Sequence, residues 1–376
     1  MRLTEAARPQ AIAMWDFSWL ERRWPGAGYE DWDLALAGLR ERGYDLVRID
    51  AYPHLVSAGG ERVWSLPPRW TQQSWGAQSP IDVQVLPGLV QFVAAAARHG
   101  IGVALSTWFR TDRDEVRMLL RTPAELAKAW TDTLDVVAAA GLLEHVTYVD
   151  LCNEFPLAAW APFLYGTDVG PGLPRSHPRI EAWMRESIEI VRAAYPDLDY
   201  TYSFAGRYGP TDAPDVRTFD LLEPHVWMAS ASDFNKDIDY NFELFDPRGY
   251  DNLVRLGRRT YEADPEHYDG PLFEQIDWLA QWSRTTGKPL VTTECWSIID
   301  YKDWPGLDWD WVMELNERAL TRASATGRWV ALATSNFCGP QFVGMWREVD
   351  YHRRLTGLIH DGPLDVELGD GDRVGT

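Results

Sequence analysis

Short runs of hydrophobic residues recur along the chain, and an amphipathic stretch follows almost every one of them. Eight runs have the length and the unbroken apolar character of buried parallel strands, with turn residues at their ends. They cover residues 11–15, 44–50, 101–107, 146–152, 200–204, 221–227, 289–293 and 329–334. The sixth run contains Pro224, which weakens it as a strand.

The stretches between these runs carry apolar residues at helical spacing. We predict helices over 31–42, 86–99, 123–144, 179–195, 271–286, 308–326 and 346–359. Thr122-Pro-Ala-Glu125 is a capping box with proline at the first helical position. A glycine soon after most of the other helices marks their ends. A helix after the fifth strand, expected within 213–219, is poorly marked.

Eight strand-helix units in succession predict an α/β fold, a (β/α)8 barrel in a single domain. The strand-to-helix connections are long at 51–85, 155–178 and 228–270, whereas the helix-to-strand links are mostly short. In such barrels the strand-to-helix loops share the face that carries the active site. We assign residues 1–360 to the barrel and expect the polar, acidic segment 361–376 to be a tail or an edge segment.

Aromatic residues collect in these long loops, and the chain contains 20 tryptophans. Tryptophan is rarely buried completely, so some of the rings are expected to line a site. The alternative is that long loops use aromatic side chains to pack small cores of their own. The loop aromatics are Trp64, Trp70, Trp75, Trp160, Phe163, Tyr165, Phe234, Tyr240, Phe242 and Phe245.

The overall charge narrows the range of partners. Lysine and arginine number 36 against 56 aspartates and glutamates, a formal net charge of −20. Such a surface repels phosphate backbones and anionic membranes, so we expect neither nucleic acid nor a membrane as partner. The longest apolar stretches are too short to span a bilayer, and the N-terminus lacks the apolar core of a secretory signal. These features favour a cytoplasmic protein.

Several classes of chemistry find no support in the sequence. Cys152, Cys295 and Cys338 are odd in number and lack metal-site spacing, which indicates buried apolar thiols. The eight histidines form no metal-binding motif, so no metal is expected. No glycine-rich strand-to-helix turn and no P-loop occurs, so no cofactor is expected.

Two carboxylates stand at predicted strand ends. The fourth strand finishes in Asp150-Leu-Cys-Asn-Glu154, and the seventh finishes in Glu294. Because the carboxyl ends of barrel strands meet at one mouth, these side chains should converge. Glycosidic bond hydrolysis needs two neighbouring carboxyl groups, one protonated and one ionised. A structural ion pair or a hydrogen-bond anchor at each site is the alternative.

The motif ending in Asn153-Glu154 resembles the fourth-strand signature of clan A glycoside hydrolases, especially the cellulase-like family 5. Glu294 resembles their seventh-strand nucleophile, Arg48 their second-strand arginine, and His225 their sixth-strand histidine. The resemblance implies that Glu154 is the acid/base, Glu294 the nucleophile and Asn153 a donor to the sugar 2-hydroxyl. It also implies a retaining double displacement.

This chain departs from the family pattern at several positions. Phe155 separates Glu154 from the following proline, and Trp227 stands where a tyrosine usually follows the histidine. The third strand lacks the usual histidine, and the eighth ends at Asn336 near the place of a common tryptophan platform. These departures favour an alternative function, a sugar-binding pseudoenzyme on the same barrel.

Further strand-end residues are candidates for substrate binding, each with a structural alternative. A buried Arg48 must be paired, either with a catalytic carboxylate or with Asp50 or Asp150. His225 could bond substrate or satisfy a barrel neighbour, and Asp16 and Asp50 could hold sugar hydroxyls or cap loop backbone. Indole faces stack on sugars, which would suit the tryptophans at the strand ends, but packing within the protein explains their positions equally well. The remaining candidates are Trp15, Trp108, Trp227, Trp296 and Asn336.

The sequence thus predicts a retaining glycoside hydrolase that cleaves a β-glycosidic bond in short oligosaccharides or glycosides, with exo action. The partner is a small carbohydrate, and the oligomeric state is left open. The same residues would serve a transglycosylase, because only the acceptor differs. Besides the pseudoenzyme, a barrel hydrolase of unrelated chemistry using Asp50 and His54 is a third possibility.

Overall fold

Parallel strands form the centre of the molecule. The computed structural model describes residues 2–70, 74, 76–166, 172–206, 208–240 and 247–365. Its strands are β1 (Gln10–Ala13), β2 (Leu46–Asp50), β3 (Val63–Leu66), β4 (Ile81–Gln84), β5 (Gly102–Ser106), β6 (Val146–Asp150), β7 (Asp199–Thr201), β8 (Ser203–Phe204), β9 (Glu223–Pro224), β10 (Val226–Trp227), β11 (Leu290–Thr292), β12 (Cys295–Trp296) and β13 (Trp329–Leu332).

The strand order shows how the sheet closes. Seven strands form one sheet in the order β11-β13-β1-β2-β5-β6-β7, and its strands pair in parallel. The sixth barrel position is split, with β9 paired to β8 and β10 paired to β12. A bridge from Leu222 to Leu290 completes the ring. The predicted (β/α)8 barrel is confirmed, and each of the eight apolar runs contains barrel strand.

Helices surround this ring. They are α1 (Ser18–Glu21), α2 (Trp32–Glu41), α3 (Pro53–Gly59), α4 (Val85–Arg98), α5 (Pro123–Ala139), α6 (Pro178–Ala194), α7 (Met228–Ala231), α8 (Phe234–Asp237), α9 (Pro247–Asn252), α10 (Arg258–Ala263), α11 (Pro265–Thr286), α12 (Asp310–Ala325), α13 (Val343–Trp346) and α14 (Val349–His360). Short 3-10 turns cover 3–5, 116–119, 143–145 and 162–164, and a π-helical turn covers 253–257.

Side-chain caps explain where the main helices begin. Thr122 accepts a hydrogen bond from the Glu125 backbone N–H at 3.2 Å, as its capping box predicts. Asp264 does the same for His267 at 3.2 Å, so α11 begins at Pro265. The sequence prediction began this helix at Pro271, which was wrong because the Asp264-Pro265 start signal outranks a proline that the helix accommodates in its interior.

A second prediction also fails. No helix forms at 213–219 in the part of the chain the structure covers. Pro214 lacks a backbone N–H, and the Asp215 carboxylate accepts the Arg217 backbone N–H at 3.1 Å, which builds a turn instead. The helix predicted to end near 144 ends at Ala139, and a 3-10 turn takes over at 143–145.

The long loops contain more regular structure than the sequence suggested. Strands β3 and β4 form an antiparallel hairpin inside the 51–85 connection. Four short helices, α7 to α10, lie within 228–270. Trp64, Phe163 and Phe234 are buried here, as expected for small loop cores, whereas Trp75, Phe242 and Phe245 lie outside the described residues.

The chain beyond α14 is described only as far as residue 365. Asp365 lies 3.2 Å from Arg284 and 3.4 Å from Arg328, and its backbone N–H bonds the Gly327 carbonyl at 2.8 Å. Most of the predicted tail, residues 366–376, lies outside the described residues. Among the helices the structure describes, none has both the length and the apolar character needed to cross a membrane.

Candidate active site

The turn that follows β6 fixes the position of Glu154. The Asn153 N–H bonds the Thr107 carbonyl at 2.8 Å on one side of the turn. On the other side, the Glu154 N–H bonds Ser203 Oγ at 2.9 Å, and the Phe155 N–H bonds the Ser203 carbonyl at 3.0 Å. Glu154 has a left-handed backbone with φ of 48°. The neighbouring strand ends therefore position this carboxylate.

Glu294 lies between β11 and β12 and reaches the same point from the opposite side of the barrel mouth. Its backbone carbonyl accepts the Val226 N–H at 3.0 Å, which joins the sixth and seventh barrel positions. One carboxylate oxygen of Glu294, one of Glu154 and a ring nitrogen of His225 all lie within 4.8 Å of one another. The structure thus brings together the two glutamates that 140 residues of sequence separate.

His225 bridges the two carboxylates, and its neighbours define its tautomer. Arg48 Nη1, which can only donate, lies 3.1 Å from His225 Nε2, so Nε2 is the acceptor. Nδ1 then carries the proton, and it lies 3.0 Å from Glu154 Oε1 and 3.5 Å from Glu294 Oε1. Burial lowers the pKa of His225, which keeps the ring neutral. His225 is therefore a fixed donor to Glu154, whereas Glu294 Oε1 accepts no hydrogen bond from the described residues.

Arg48 occupies the interior of the barrel and is fully buried. Burial opposes its charge, but the surrounding carboxylates raise its pKa well above the ordinary value. Its guanidinium nitrogens lie 3.0 Å from Glu223, 3.1 Å from Asp16, 3.4 Å from Asp150 and 3.8 Å from Glu294. Both partners that the sequence left open, a barrel aspartate and the candidate nucleophile, are therefore present at once.

One guanidinium cannot balance four carboxylates, so protons must supply the rest. Burial raises the pKa of Glu223 to about 7, although Arg48 opposes the shift. Burial and the Glu154 charge raise the pKa of Glu294, again against Arg48, and burial raises that of Asp16. Interacting carboxyl groups of this kind titrate as a set rather than singly. These upward shifts favour the neutral carboxyl form of Glu223, Glu294 and Asp16.

Glu223 is a member of the site that sequence reasoning missed. Its Oε1 accepts hydrogen bonds from Thr293 at 2.7 Å and Tyr148 at 3.1 Å, in addition to the Arg48 contact. A signal was available, because Glu223 precedes His225 by two residues and alternate residues of a strand share one face. Pro224 between them made this run the weakest strand prediction.

Trp160 is the second residue whose role the sequence did not reveal. It belongs to the loop after Glu154, and its Nε1–H donates to Glu154 Oε2 at 2.9 Å. Its ring also contacts Trp108 and Trp70, with centroid distances of 4.7 and 5.1 Å. We call Trp70, Trp108 and Trp160 the tryptophan cluster. The cluster packs a loop core and at the same time touches the candidate acid/base.

Asn153 and Trp227 each have a hydrogen-bond donor near the glutamates that is not used by any described residue. Asn153 accepts a bond from Arg48 through Oδ1, while its Nδ2 has no partner among the described residues. The indole N–H of Trp227 likewise bonds to no residue that the structure describes, and its ring lies edge-on to His225 at 5.7 Å. Both N–H groups are therefore buried donors that no described residue satisfies.

Asp16, Trp108 and Asp50 are engaged within the protein. The Trp108 Nε1–H donates to Asp16, which also contacts Arg48. Asp50 accepts the backbone N–H groups of Tyr52 at 2.7 Å and Trp108 at 2.9 Å, the capping role that the sequence analysis offered as its alternative. Burial raises the pKa of Asp50 to about 7. A sugar hydroxyl would have to compete with these bonds.

The remaining candidates lie in packed surroundings. The Trp296 Nε1–H bonds the Ala333 carbonyl at 3.0 Å, and its ring meets Trp329 at 5.8 Å. Trp15 is 2% exposed and packs on Phe342. Asn336 holds the loop after β12 through the Ile299 carbonyl at 2.8 Å. Their roles in sugar binding stay predictions, and the contacts seen are structural.

The structure also shows which side chains could surround a metal ion. In the described part of the chain, Glu154, His225 and Glu294 form the one such group, and all three are buried. The Arg48 guanidinium lies 3.8 Å from Glu294 and 3.1 Å from His225. A fixed cation this close disfavours a second one. The arrangement suits acid/base and nucleophilic chemistry better than metal ligation.

Comparison with known proteins places this chain in a family. The sequence model of the sugar-binding cellulase-like proteins matches residues 12–360. The chain belongs to the cellulase-like family. The resemblance read from the strand-end motifs is thereby confirmed. No match was found among curated proteins.

Solved structures agree with this cellulase-like assignment. A protein of Parabacteroides distasonis ATCC 8503, assigned as a glycoside hydrolase, is 45% identical, with a TM-score of 0.93 and 97% of each chain covered. The endo-beta-1,4-mannanase of Thermotoga petrophila is 11% identical at a TM-score of 0.56, covering 96% of this chain and 79% of its own. The beta-glycosidase BGL167 is 12% identical at 0.51, covering 95% and 97%. The last two likenesses concern the fold alone.

Proposed function

We propose that this cellulase-like protein is a retaining β-glycosidase. One observation carries the proposal: a carboxylate oxygen of Glu154 and one of Glu294 lie within 4.8 Å of each other and of His225. Retaining enzymes hold their two carboxyl groups about 5–5.5 Å apart, whereas inverting enzymes leave about 6.5–9.5 Å for a water molecule. The spacing therefore favours a double displacement.

In the first step Glu294 attacks the anomeric carbon, and the bond from that carbon to the leaving oxygen breaks. Glu154 gives its proton to this oxygen, so the leaving group departs as a neutral alcohol. In the second step Glu154 takes a proton from water, whose oxygen displaces Glu294 from the sugar. A sugar hydroxyl in place of water would give transglycosylation.

The surrounding residues suit these roles. Arg48 opposes the upward shift in the pKa of Glu294 and so favours the ionised nucleophile. His225 donates its Nδ1–H to Glu154 and orients that carboxylate, and the same nitrogen lies 3.5 Å from Glu294. The Nδ2–H groups of Asn153 and the Nε1–H of Trp227 are donors for sugar hydroxyls. A sugar bound beside the glutamates would satisfy polar atoms that have no partner among the described residues.

The burial of the glutamates supports exo action on short substrates. The side chains of Glu294 and Glu154 are 2% and 11% exposed. A cleft that accommodates the middle of a polymer has to be open on two sides, and it would leave the catalytic groups more accessible. A closed pocket instead accepts the end of an oligosaccharide or a simple glycoside.

The test is hydrolysis of a panel of aryl β-glycosides by the wild type, Glu154→Gln and Glu294→Gln. Asp269→Asn is the matched control, because Asp269 is also a buried carboxylate but bonds Tyr261 and Arg318 outside the barrel. We expect one sugar to be cleaved, with activity lost in both glutamine variants and kept in the control. Proton NMR of the first product should show a β-anomer.

A sugar-binding protein without turnover is the second candidate, since the matching family is described as sugar-binding. Binding of sugars by the wild type, with no cleavage of any aryl glycoside or natural oligosaccharide, would favour it. An α-anomer as first product would instead contradict the retaining mechanism.

A further inference from the structure

Arg69 lies at the barrel mouth, and no residue that the structure describes gives it a partner of opposite charge. It belongs to the loop between β3 and β4, where its backbone pairs with Ala77 at 3.0 and 2.8 Å. Its guanidinium carbon lies 4.5 Å from the ring centre of Trp70 and 4.9 Å from that of Trp160. No residue in the described ranges gives this guanidinium a hydrogen bond or a carboxylate.

The charged side chains near Arg69 are also positive, so they disfavour its charge. Burial, together with the positive charges of Arg110 and Arg117, lowers the pKa of Arg69 to about 10. Arg110 is held by Glu21 at 2.8 and 3.0 Å, and Arg117 by Glu115 at 3.2 Å. A half-buried cation without a counter-charge is costly in a chain of net charge −20 that has 56 carboxylates to offer. The uncompensated charge indicates a place for an external anion.

The position of this cation relative to the reaction follows from Glu154. Its Oε1 faces His225, and through it Glu294, on the side where the sugar is attacked. The Oε2 atom of Glu154 accepts a hydrogen bond from Trp160, and the Arg69 guanidinium packs against the Trp160 ring. Because the acid/base protonates the leaving oxygen, the groups beyond Oε2 border the leaving group. Under the proposed mechanism, Arg69 therefore lies on the leaving-group side of the scissile bond.

We propose that Arg69 binds a carboxylate carried by the leaving group, so that the preferred substrates are glycosides of an acidic sugar or an acidic aglycone. The inference rests on the proposed glycosidase function and names its substrate class. A planar guanidinium offers two parallel N–H groups to a carboxylate. The tryptophan cluster holds the guanidinium plane in place and adds apolar surface for the rest of the leaving group.

The test compares two glycosides of the sugar that the wild type cleaves best, one carrying 4-carboxyphenyl and the other its methyl ester. We expect the wild type to prefer the acid in kcat/KM. Arg69→Gln should reduce the acid-to-ester ratio about tenfold to a hundredfold, the range for a hydrogen bond to a charged group. Arg62→Gln is the matched control, since Arg62 also lies over a tryptophan ring, at 4.2 Å from that of Trp64, but is exposed and pairs with Asp114.

A binding measurement separates this inference from the function on which it rests. Calorimetric titration with 4-hydroxybenzoate and with its methyl ester needs no turnover. We expect the acid to bind more tightly to the wild type and to Arg62→Gln, with the preference lost in Arg69→Gln. An unchanged preference in Arg69→Gln, in kinetics or in binding, would overturn the carboxylate site. Failure to cleave any glycoside would count against the glycosidase alone, and the titration would still decide about Arg69.

Discussion

The two arginines at the barrel mouth stand in opposite electrostatic settings. Arg48 is fully buried and has four carboxylates within 4.0 Å, so negative groups exceed positive ones around it. Arg69 lies on tryptophan rings with further cations nearby and no carboxylate partner among the described residues. The two settings are joined by Glu154, which contacts His225 on one side and Trp160 on the other.

The difference separates two tasks. Burial raises the pKa of Glu223 to about 7, and groups that exchange protons near neutral pH are what acid/base catalysis needs. A surplus cation at the mouth has no proton to exchange under the same conditions and serves binding. A substitution in the surroundings of one arginine should therefore leave the surroundings of the other unchanged.

The largest effect is expected from Arg48→Met. Removing the one cation leaves buried carboxylates uncompensated, which costs about 3–5 kcal/mol of unfolding free energy when a buried pair is broken. Urea denaturation at pH 7 measures the loss. Arg62→Met, at an exposed site, should change stability by about 0.5 kcal/mol or less. Equal stability of the Arg48 variant and the wild type would show that the carboxylates are already neutral.

Glu223→Gln should change how stability depends on pH. The pKa of Glu223 is raised to about 7, against about 4.3 in an unfolded chain, so folding favours its neutral form. That contribution is fully present below about pH 4.3 and is lost as the pH rises through 7. Glutamine is always neutral, so the decline in stability between pH 5 and 8 should shrink by about 1–3 kcal/mol.

The same variant tests whether Glu223 acts on catalysis through Arg48. We expect the alkaline limb of the kcat/KM profile to move, because one member of the coupled carboxyl set is gone. Asp269→Asn is the control, since burial also raises the pKa of Asp269, to about 6, but outside the barrel. A profile identical to wild type in Glu223→Gln would reduce Glu223 to a structural role.

Trp160→Phe should lower kcat/KM about tenfold, because it removes the N–H that donates to Glu154 Oε2 and keeps a ring in place. Trp183→Phe provides the comparison, since the indole N–H of Trp183 is buried and bonds to none of the described residues. Kinetics on a neutral aryl glycoside would measure both. Equal activities of the two variants would remove Trp160 from the proton-transfer machinery.

The smallest effect is expected from salt. Arg69 is half-buried and reached by solvent, so raising NaCl from 0.05 to 0.5 M should weaken the preference for 4-hydroxybenzoate by about two- to threefold. Arg48 and its carboxylate partners are shielded from solvent, so added salt should not screen their interactions. The kcat on a neutral glycoside should therefore stay the same. A salt-independent preference would place the anion-binding group deeper in the barrel than Arg69.

The sequence predicted the barrel because its strands are short apolar runs between clear turn and capping signals. Glu154 and Glu294 could be found because they interrupt that pattern where a buried strand ends. Glu223 was missed since Pro224 obscured the alternation of its strand. The expected helix at 213–219 failed because Asp215 bonds nearby backbone, a local competition that periodicity does not register.

Contacts between loop residues and strand-end residues could not be predicted from the sequence. Trp160 was one of ten loop aromatics, and no spacing rule connects it to the Glu154 carboxylate. That none of the described residues pairs with Arg69 is likewise visible only when its surroundings are known. Asp50 shows the converse, since the sequence offered sugar binding or capping and the structure displays caps to Tyr52 and Trp108.

The turn that carries Glu154 is bonded to Thr107 on one side and to Ser203 on the other. The backbone of this turn is therefore held by the barrel wall, whereas the following loop reaches the Glu154 carboxylate through the Trp160 indole. Mutations, insertions and grafts in that loop that retain Trp160 can therefore be explored with the backbone of Glu154 held in place. Under the proposed glycosidase function, such changes would alter the leaving group that is accepted while the two glutamates stay in position.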